Sequence, residues 1–173
     1  YLSSLTALPD SVKFENKGAV YLSSLTALPD SVKFENKGTV DLSNLTALPD
    51  NVKFENEGAV YLSSLTGSHK YLGQKRYFQT VDDFTMILGV SKTHDGYKVI
   101  SARYFGGGPV EDMRKCYIAK GGGLSAHGYT IKAAIDDLQY KIADNADKST
   151  IVAEVRKSQR VTVAQFRGLT GAC

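Results

Sequence analysis

With 173 residues, 42% of them apolar, the chain is long enough to bury a core, and 21 Lys and Arg against 18 Asp and Glu leave a net charge of only +3. Its two cysteines, Cys116 and Cys173, stand far apart, which excludes a disulfide framework and a zinc-ligand spacing. A reducing, cytoplasmic compartment is therefore expected, and no metal or other cofactor. No apolar stretch approaches the length of a membrane span, so no membrane partner is expected.

The first third of the chain repeats itself. Tyr1–Val20 recurs as Tyr21–Val40 and Asp41–Val60, and a fourth copy starts at Tyr61 and breaks off after Thr66. The chain opens inside a repeat without an initiator methionine, as expected of a piece of a longer protein. Near-identity at a twenty-residue period signals a parallel β-solenoid, whose coils bury their apolar positions only against their neighbours. Leu2, Leu5, Leu8, Val12, Phe14 and Val20 are the constant apolar positions. Val12, Phe14 and Asn16 alternate with Lys13 and Glu15, and Val20 and Leu22 flank Tyr21, so each coil is expected to hold two short strands, stacked at about 4.8 Å. Leu8-Pro9-Asp10 marks one corner and Asn16-Lys17-Gly18 another, where the glycine is expected to supply a positive φ. Phe14, Phe34 and Phe54 should then stack in an internal column, and Asn16, Asn36 and Asn56 should form a hydrogen-bonded ladder.

This pattern, Leu-x-x-Leu-x-x-Leu-Pro followed by Val-x-Phe-x-Asn-x-Gly, resembles leucine-rich-repeat proteins, in particular short, strand-rich variants associated with bacterial and phage genomes. It departs from the usual repeat in holding two strands per coil instead of a strand and a helix. The resemblance implies a binding surface and no chemistry. Of the outward columns, Lys13, Lys33 and Lys53 beside Glu15, Glu35 and Glu55 reads as a soluble exterior. Tyr1, Tyr21, Asp41 and Tyr61 beside Ser3, Ser23, Ser43 and Ser63 set tyrosines among serines, which suits protein recognition and makes that column the candidate binding surface. A solenoid bares apolar rungs and strand edges at its ends. The following domain is expected to cap the C-terminal end, and self-association of copies is the expectation for the N-terminal one.

The repeat breaks at Gly67-Ser68-His69-Lys70, giving a repeat arm over 1–66 and a second domain over 67–173. The arm carries 5 Lys against 8 Asp and Glu, and the second domain 16 Lys and Arg against 10 Asp and Glu, so an acidic arm adjoins a basic domain. Strands are predicted at Arg76–Thr80, Phe84–Val90, Lys98–Phe105, Lys115–Lys120 and Leu124–His127, separated by turn residues in an antiparallel meander. Gly106-Gly107-Gly108-Pro109 and Gly121-Gly122-Gly123 read as flexible hairpin loops; the first lacks the lysine and hydroxyl of a phosphate loop. From Thr130 the period becomes helical, with Ile131, Ala134, Ile135, Leu138 and Ile142 on one face. A second helix is expected from about Lys148 to Lys157, and a third over Thr162–Gly171. The second domain is accordingly α+β, with helices packed on a sheet.

Tyr117-Ile118-Ala119 leading to Ala126-His127-Gly128-Tyr129-Thr130 and then Ala133-Ala134-Ile135-Asp136-Asp137-Leu138 is similar to the strand–turn–helix of HicB-type antitoxins. The ending Phe166-Arg167-Gly168-Leu169-Thr170-Gly171-Ala172-Cys173 resembles uncharacterised phage and prophage proteins in which such a domain follows short leucine-rich repeats. That resemblance implies a mobile-element origin and the cytoplasm of a bacterial host cell. Three functions follow as expectations. The first is a non-enzymatic phage-type protein-binding module, an inhibitor of a host defence complex of the anti-CRISPR kind. The second is an enzyme with Cys116 as nucleophile and His127 as its base, with Cys173, Asp136 or Asp137 in support. The third is a nucleic-acid binder using Arg103, Arg114, Lys115 and Lys120 beside Tyr104, Phe105 and Tyr117.

Overall fold

The computed structural model describes residues 2–108 and 110–171. Each repeat yields two short strands: β1 (Lys13–Phe14) and β2 (Val20–Tyr21), β3 (Lys33–Phe34) and β4 (Val40–Asp41), β5 (Lys53–Phe54) and β6 (Val60–Tyr61). Equivalent strands pair parallel and position for position, forming the sheets β1-β3-β5 and β2-β4-β6. That register follows from the sequence, because only it lays every apolar side chain on its own equivalent. Leu22, Leu25, Val32, Phe34, Leu42, Leu45 and Val52 are completely buried as a result. Phe14, Phe34 and Phe54 stack as expected, with ring centroids 5.1 Å apart and planes within 6° of parallel.

Two expectations about the bend are corrected. The Asn16, Asn36 and Asn56 side-chain amides do not bond to one another; they donate to the carbonyls of Gly18, Gly38 and Gly58 in their own repeats, at 2.8, 2.7 and 2.7 Å, and Asn36 also donates across to the Gly18 carbonyl of the first repeat at 3.3 Å. Nor do those glycines adopt a positive φ. Gly38 and Gly58 are needed for close approach, since a Cβ on Gly38 would lie 2.5 Å from the Gly18 carbonyl carbon, and one on Gly58 2.5 Å from that of Gly38.

After Thr66 the pattern switches to β7 (Gly67–Tyr71), β8 (Gln74–Val81), β9 (Phe84–His94), β10 (Tyr97–Tyr104), β11 (Lys115–Gly121) and β12 (Leu124–Gly128), which neighbour one another in sequence order in a six-stranded antiparallel sheet. Four of its turns are two-residue hairpins, Leu72-Gly73, Asp82-Asp83, Asp95-Gly96 and Gly122-Gly123, with both residues at positive φ. This mirror-image turn matches the twist of the strands it joins. β7 was not expected from the sequence: Gly67-Ser68-His69-Lys70 has no apolar alternation, and the strand exists through its pairing with β8, from Gly67 opposite Phe78 to Tyr71 opposite Gln74.

Three helices follow, α1 (Ile131–Asn145), α2 (Lys148–Ser158) and α3 (Val163–Thr170). Each has a side-chain N-cap: Thr130 accepts from the Ala133 amide, Asp147 from that of Ser149, and Thr162 forms a reciprocal box with Gln165. Ala134, Ile135 and Leu138 of α1 pack with Val99, Ala119 and Ala126 in one apolar cluster.

The chain divides into two compact units, Tyr1–Val90 with Ala102–Lys115, and Ser91–Ser101 with Cys116–Cys173. The first unit holds the repeats, whose core runs on into Tyr71, Phe78, Ile87, Phe105, Val110 and Met113. No helix among the described residues is long and apolar enough to cross a membrane.

Candidate interaction surface

Parallel pairing aligns Tyr21, Asp41 and Tyr61 in one column on the outside of the second repeat sheet. Tyr21 and Tyr61 are 38% and 39% exposed, while the neighbouring Val20, Leu22, Val40, Leu42, Val60 and Leu62 are buried. The rings thus stand on a backbone whose inner face is fixed by packing. Asp41 is occupied locally: its Oδ1 accepts from the Ser43 amide at 3.0 Å and the Ser43 hydroxyl at 2.6 Å. Tyr1, the remaining member of the expected column, lies outside the described residues, as does Cys173.

The lysine and glutamate columns lie on the other repeat sheet. Lys13 Nζ contacts Glu15 and meets Glu35 at 2.7 Å, and these two carboxylates hold its ammonium above the usual lysine range.

The outer end of the third repeat is covered by the glycine-rich loop between β10 and β11. Gly106 bridges to Ala59, and the Gly108 amide donates to the Phe54 carbonyl at 2.6 Å. A Cβ on Gly107 would fall 2.0 Å from the Asn56 carbonyl oxygen, so Gly106-Gly107-Gly108 is glycine-rich because it lies flat on another backbone. Phe105 meets Phe54 edge-on at 5.4 Å, and Tyr71 and Phe78 complete the aromatic cap. The edge beyond β6 is closed in the same way, by a Leu62 amide donating to Thr85 Oγ1 at 3.3 Å and Thr80 Oγ1 donating to the Ser63 carbonyl at 3.2 Å. Lys53, Phe54, Glu55, Tyr71, Leu72 and Gly108 surround a concavity of about 430 Å³ beside this seal. A run of three glycines was the available signal, but only the fold supplies the backbone it approaches.

The residues of the nucleic-acid expectation have different surroundings. Arg103 donates through Nη1 to the carbonyls of Glu111 and Met113, at 2.9 and 2.7 Å, and so clamps the 110–113 segment to β10. Arg114 and Lys115 are exposed and belong with Arg103 to the first unit. Lys120 belongs to the second, where burial and the neighbouring Lys98 ammonium both lower its pKa.

In the second unit, Ile118 pairs with His127 across β11 and β12, so Cys116, two residues before Ile118, shares a sheet face with His127. Cys116 is 1% exposed, and burial pushes its thiol up to about 11. A thiolate is the reactive form, and this environment disfavours it. Asp136 and Asp137 lie on α1, engaged by Lys132 and Lys141 respectively, and with Ala133, Tyr140 and Arg167 they border a concavity of about 400 Å³.

Compared with family models, with curated proteins and with solved structures, the chain matches none.

Proposed function

We propose that the repeats form a leucine-rich-repeat-like solenoid that presents the Tyr21–Asp41–Tyr61 column to a protein partner, and that the chain is a phage- or mobile-element-type interaction module without enzymatic activity. The observation that carries this reading is the column itself. Its two rings are each more than a third exposed, while the residues on either side of them in the strand are buried. Aromatic side chains held this way offer contact area with little conformational entropy left to lose. The resemblance of the C-terminal segment to phage and prophage proteins makes a bacterial defence complex, such as a CRISPR effector, the partner class to test first. The protein would act there by occupying the surface of that complex.

The enzymatic alternative is less well supported, because the buried Cys116 thiol is held protonated. The nucleic-acid alternative loses Arg103, whose guanidinium already serves two carbonyls, and keeps the exposed Arg114 and Lys115 as its best support.

The test is capture from a bacterial lysate with the intact chain, with and without nuclease, in parallel with a Tyr21→Ala/Tyr61→Ala double variant. A stoichiometric protein that survives nuclease and is lost, by roughly tenfold or more in affinity, with the double variant supports the reading. Capture abolished by nuclease, or unchanged in the double variant, overturns it.

A further inference from the structure

We propose that the Tyr21–Asp41–Tyr61 column receives an arginine side chain of the protein partner, its guanidinium lying between the two rings and against the Asp41 carboxylate. This deepens the binding role above and rests on it.

The middle rung of this face departs from the rungs on either side of it. Position-for-position pairing sets Val20, Val40 and Val60 beside one another, so Ala19, Thr39 and Ala59 form one column and Tyr21, Asp41 and Tyr61 another. Strand side chains alternate between faces, and the three valines are buried, so both columns face outward. The flanking rungs present alanine and tyrosine. The middle rung presents a threonine hydroxyl and a carboxylate where its neighbours carry a ring, and the slot this leaves lies wholly within the first unit.

The width of the slot follows from the ring column on the other repeat sheet. There, equivalent rings rise by 5.1 Å per repeat, and Phe34 fills the space between Phe14 and Phe54. With the same rise, the ring missing at position 41 leaves room for one planar group, about 5 Å from each tyrosine. A guanidinium is planar, stacks on aromatic faces and is attracted by them within ~6 Å of the ring centre. A lysine ammonium is a strongly hydrated point charge with no flat face to offer.

The carboxylate in the slot keeps its charge uncompensated. Both donors to Asp41, the amide and the hydroxyl of Ser43, are neutral, and both reach Oδ1. They hold the carboxylate in place and leave Oδ2 to accept from a ligand; among the described residues no lysine or arginine pairs with Asp41. A guanidinium N–H donated to that oxygen is a charge-assisted hydrogen bond, and the Thr39 hydroxyl supplies a second acceptor on the same rung. The wider field has the matching sign. Residues 1–66 carry 5 Lys against 8 Asp and Glu, so the repeat region attracts a cationic segment.

The probe is a capped Gly-Arg-Gly peptide, titrated into the intact chain and followed by NMR at the tyrosine ring signals. Gly-Lys-Gly and Gly-citrulline-Gly are run beside it; citrulline keeps the planar shape and loses the charge. The arginine peptide should shift the Tyr21 and Tyr61 signals and bind roughly tenfold or more tighter than the citrulline peptide, and several-fold tighter than the lysine peptide. Asp41→Asn removes the charge at constant shape, and Asp41→Tyr fills the slot with the residue the flanking repeats already accommodate. Each should weaken arginine-peptide binding by roughly tenfold or more. Equal binding of the arginine and citrulline peptides, or of the arginine and lysine peptides, would overturn the proposal. So would the absence of any shift, or an Asp41→Tyr variant that binds as the parent does. Lysate capture with Asp41→Tyr separates this inference from the role it rests on. A protein still captured by Asp41→Tyr but lost with Tyr21→Ala/Tyr61→Ala overturns the arginine slot and leaves the binding role standing. Peptide binding that obeys the Asp41 variants while no protein is captured supports the slot and overturns the binding role alone.

Discussion

The first and second repeats differ at one position in twenty, Ala19 against Thr39, yet their side chains live in different environments. Leu2 and Leu5 are 39% and 38% exposed, while Leu22 and Leu25 are completely buried; Phe14 is half-buried and Phe34 completely so. Burial here is a property of what lies on either side of a repeat, and the twenty residues themselves determine only which side chains are available for it. Core energy in the first unit is accordingly concentrated in the second and third repeats, each covered on both faces.

Replacing equivalent phenylalanines breaks this comparison open most directly. Phe34 lies between two rings 5.1 Å away on either side, so Phe34→Ala leaves a cavity that neither neighbour can fill and should cost about 3–5 kcal/mol. Phe14→Ala removes the same atoms from a ring already open on one side, and should cost less than about half as much. Urea unfolding of both variants measures the difference. Equal losses would mean that the first repeat is packed as firmly as the second.

A pair of glycines sharpens the contrast at the other end. Gly107→Ala drives a methyl group to within 2.0 Å of the Asn56 carbonyl oxygen, a backbone atom that cannot rotate away, and should cost about 1–3 kcal/mol by prying the seal off the third repeat. One position earlier, a Cβ on Gly106 meets nothing within 4 Å, so Gly106→Ala should stay within about 0.5 kcal/mol of the parent. The same pair of substitutions asks whether the seal matters to the repeats. If it does, Gly107→Ala also exposes Phe54 to a hydrophobic dye.

Most of the architecture was legible because it is carried by periodicities. The twenty-residue period gives the strand columns and the phenylalanine stack, and the helical spacing of Ile131, Ala134, Ile135, Leu138 and Ile142 gives α1. Thr130 and Thr162 mark their helix starts by the hydroxyl that caps the first turn. What escaped depends on partners distant in sequence. β7 carries serine, histidine and lysine, and is a strand because β8 pairs with it. Gly107 looks like a flexible loop residue until Asn56, more than fifty positions earlier, is laid against it. For the candidate surface, the sequence supplied the column of Tyr21, Asp41 and Tyr61. It did not reveal that Asp41 is turned onto Ser43, nor that Arg103 is engaged by two carbonyls.

The smallest expected effect compares the two units through their buried acids. Burial raises Tyr71 in the first unit to about 12 from 10, and Cys116 in the second to about 11 from 9. In both, the neutral form is favoured by folding, so the unfolded chain loses its proton first. The stabilisation is complete below the unfolded value and is lost as pH rises through the folded one. Stability should therefore show no pH dependence from Cys116 below pH ~9 and decline between ~9 and ~11, with Tyr71 adding a decline between ~10 and ~12. Cys116→Ala and Tyr71→Phe should each flatten their own window, by on the order of 1 kcal/mol, when urea midpoints are followed against pH. Alkylation offers an independent reading at pH ~8: a thiol held protonated inside the second unit should react only as that unit opens, so its labelling rate should follow unfolding and rise with urea. Rapid labelling of Cys116 in the native protein would place the thiol in an accessible, ionised state and return weight to the enzymatic alternative.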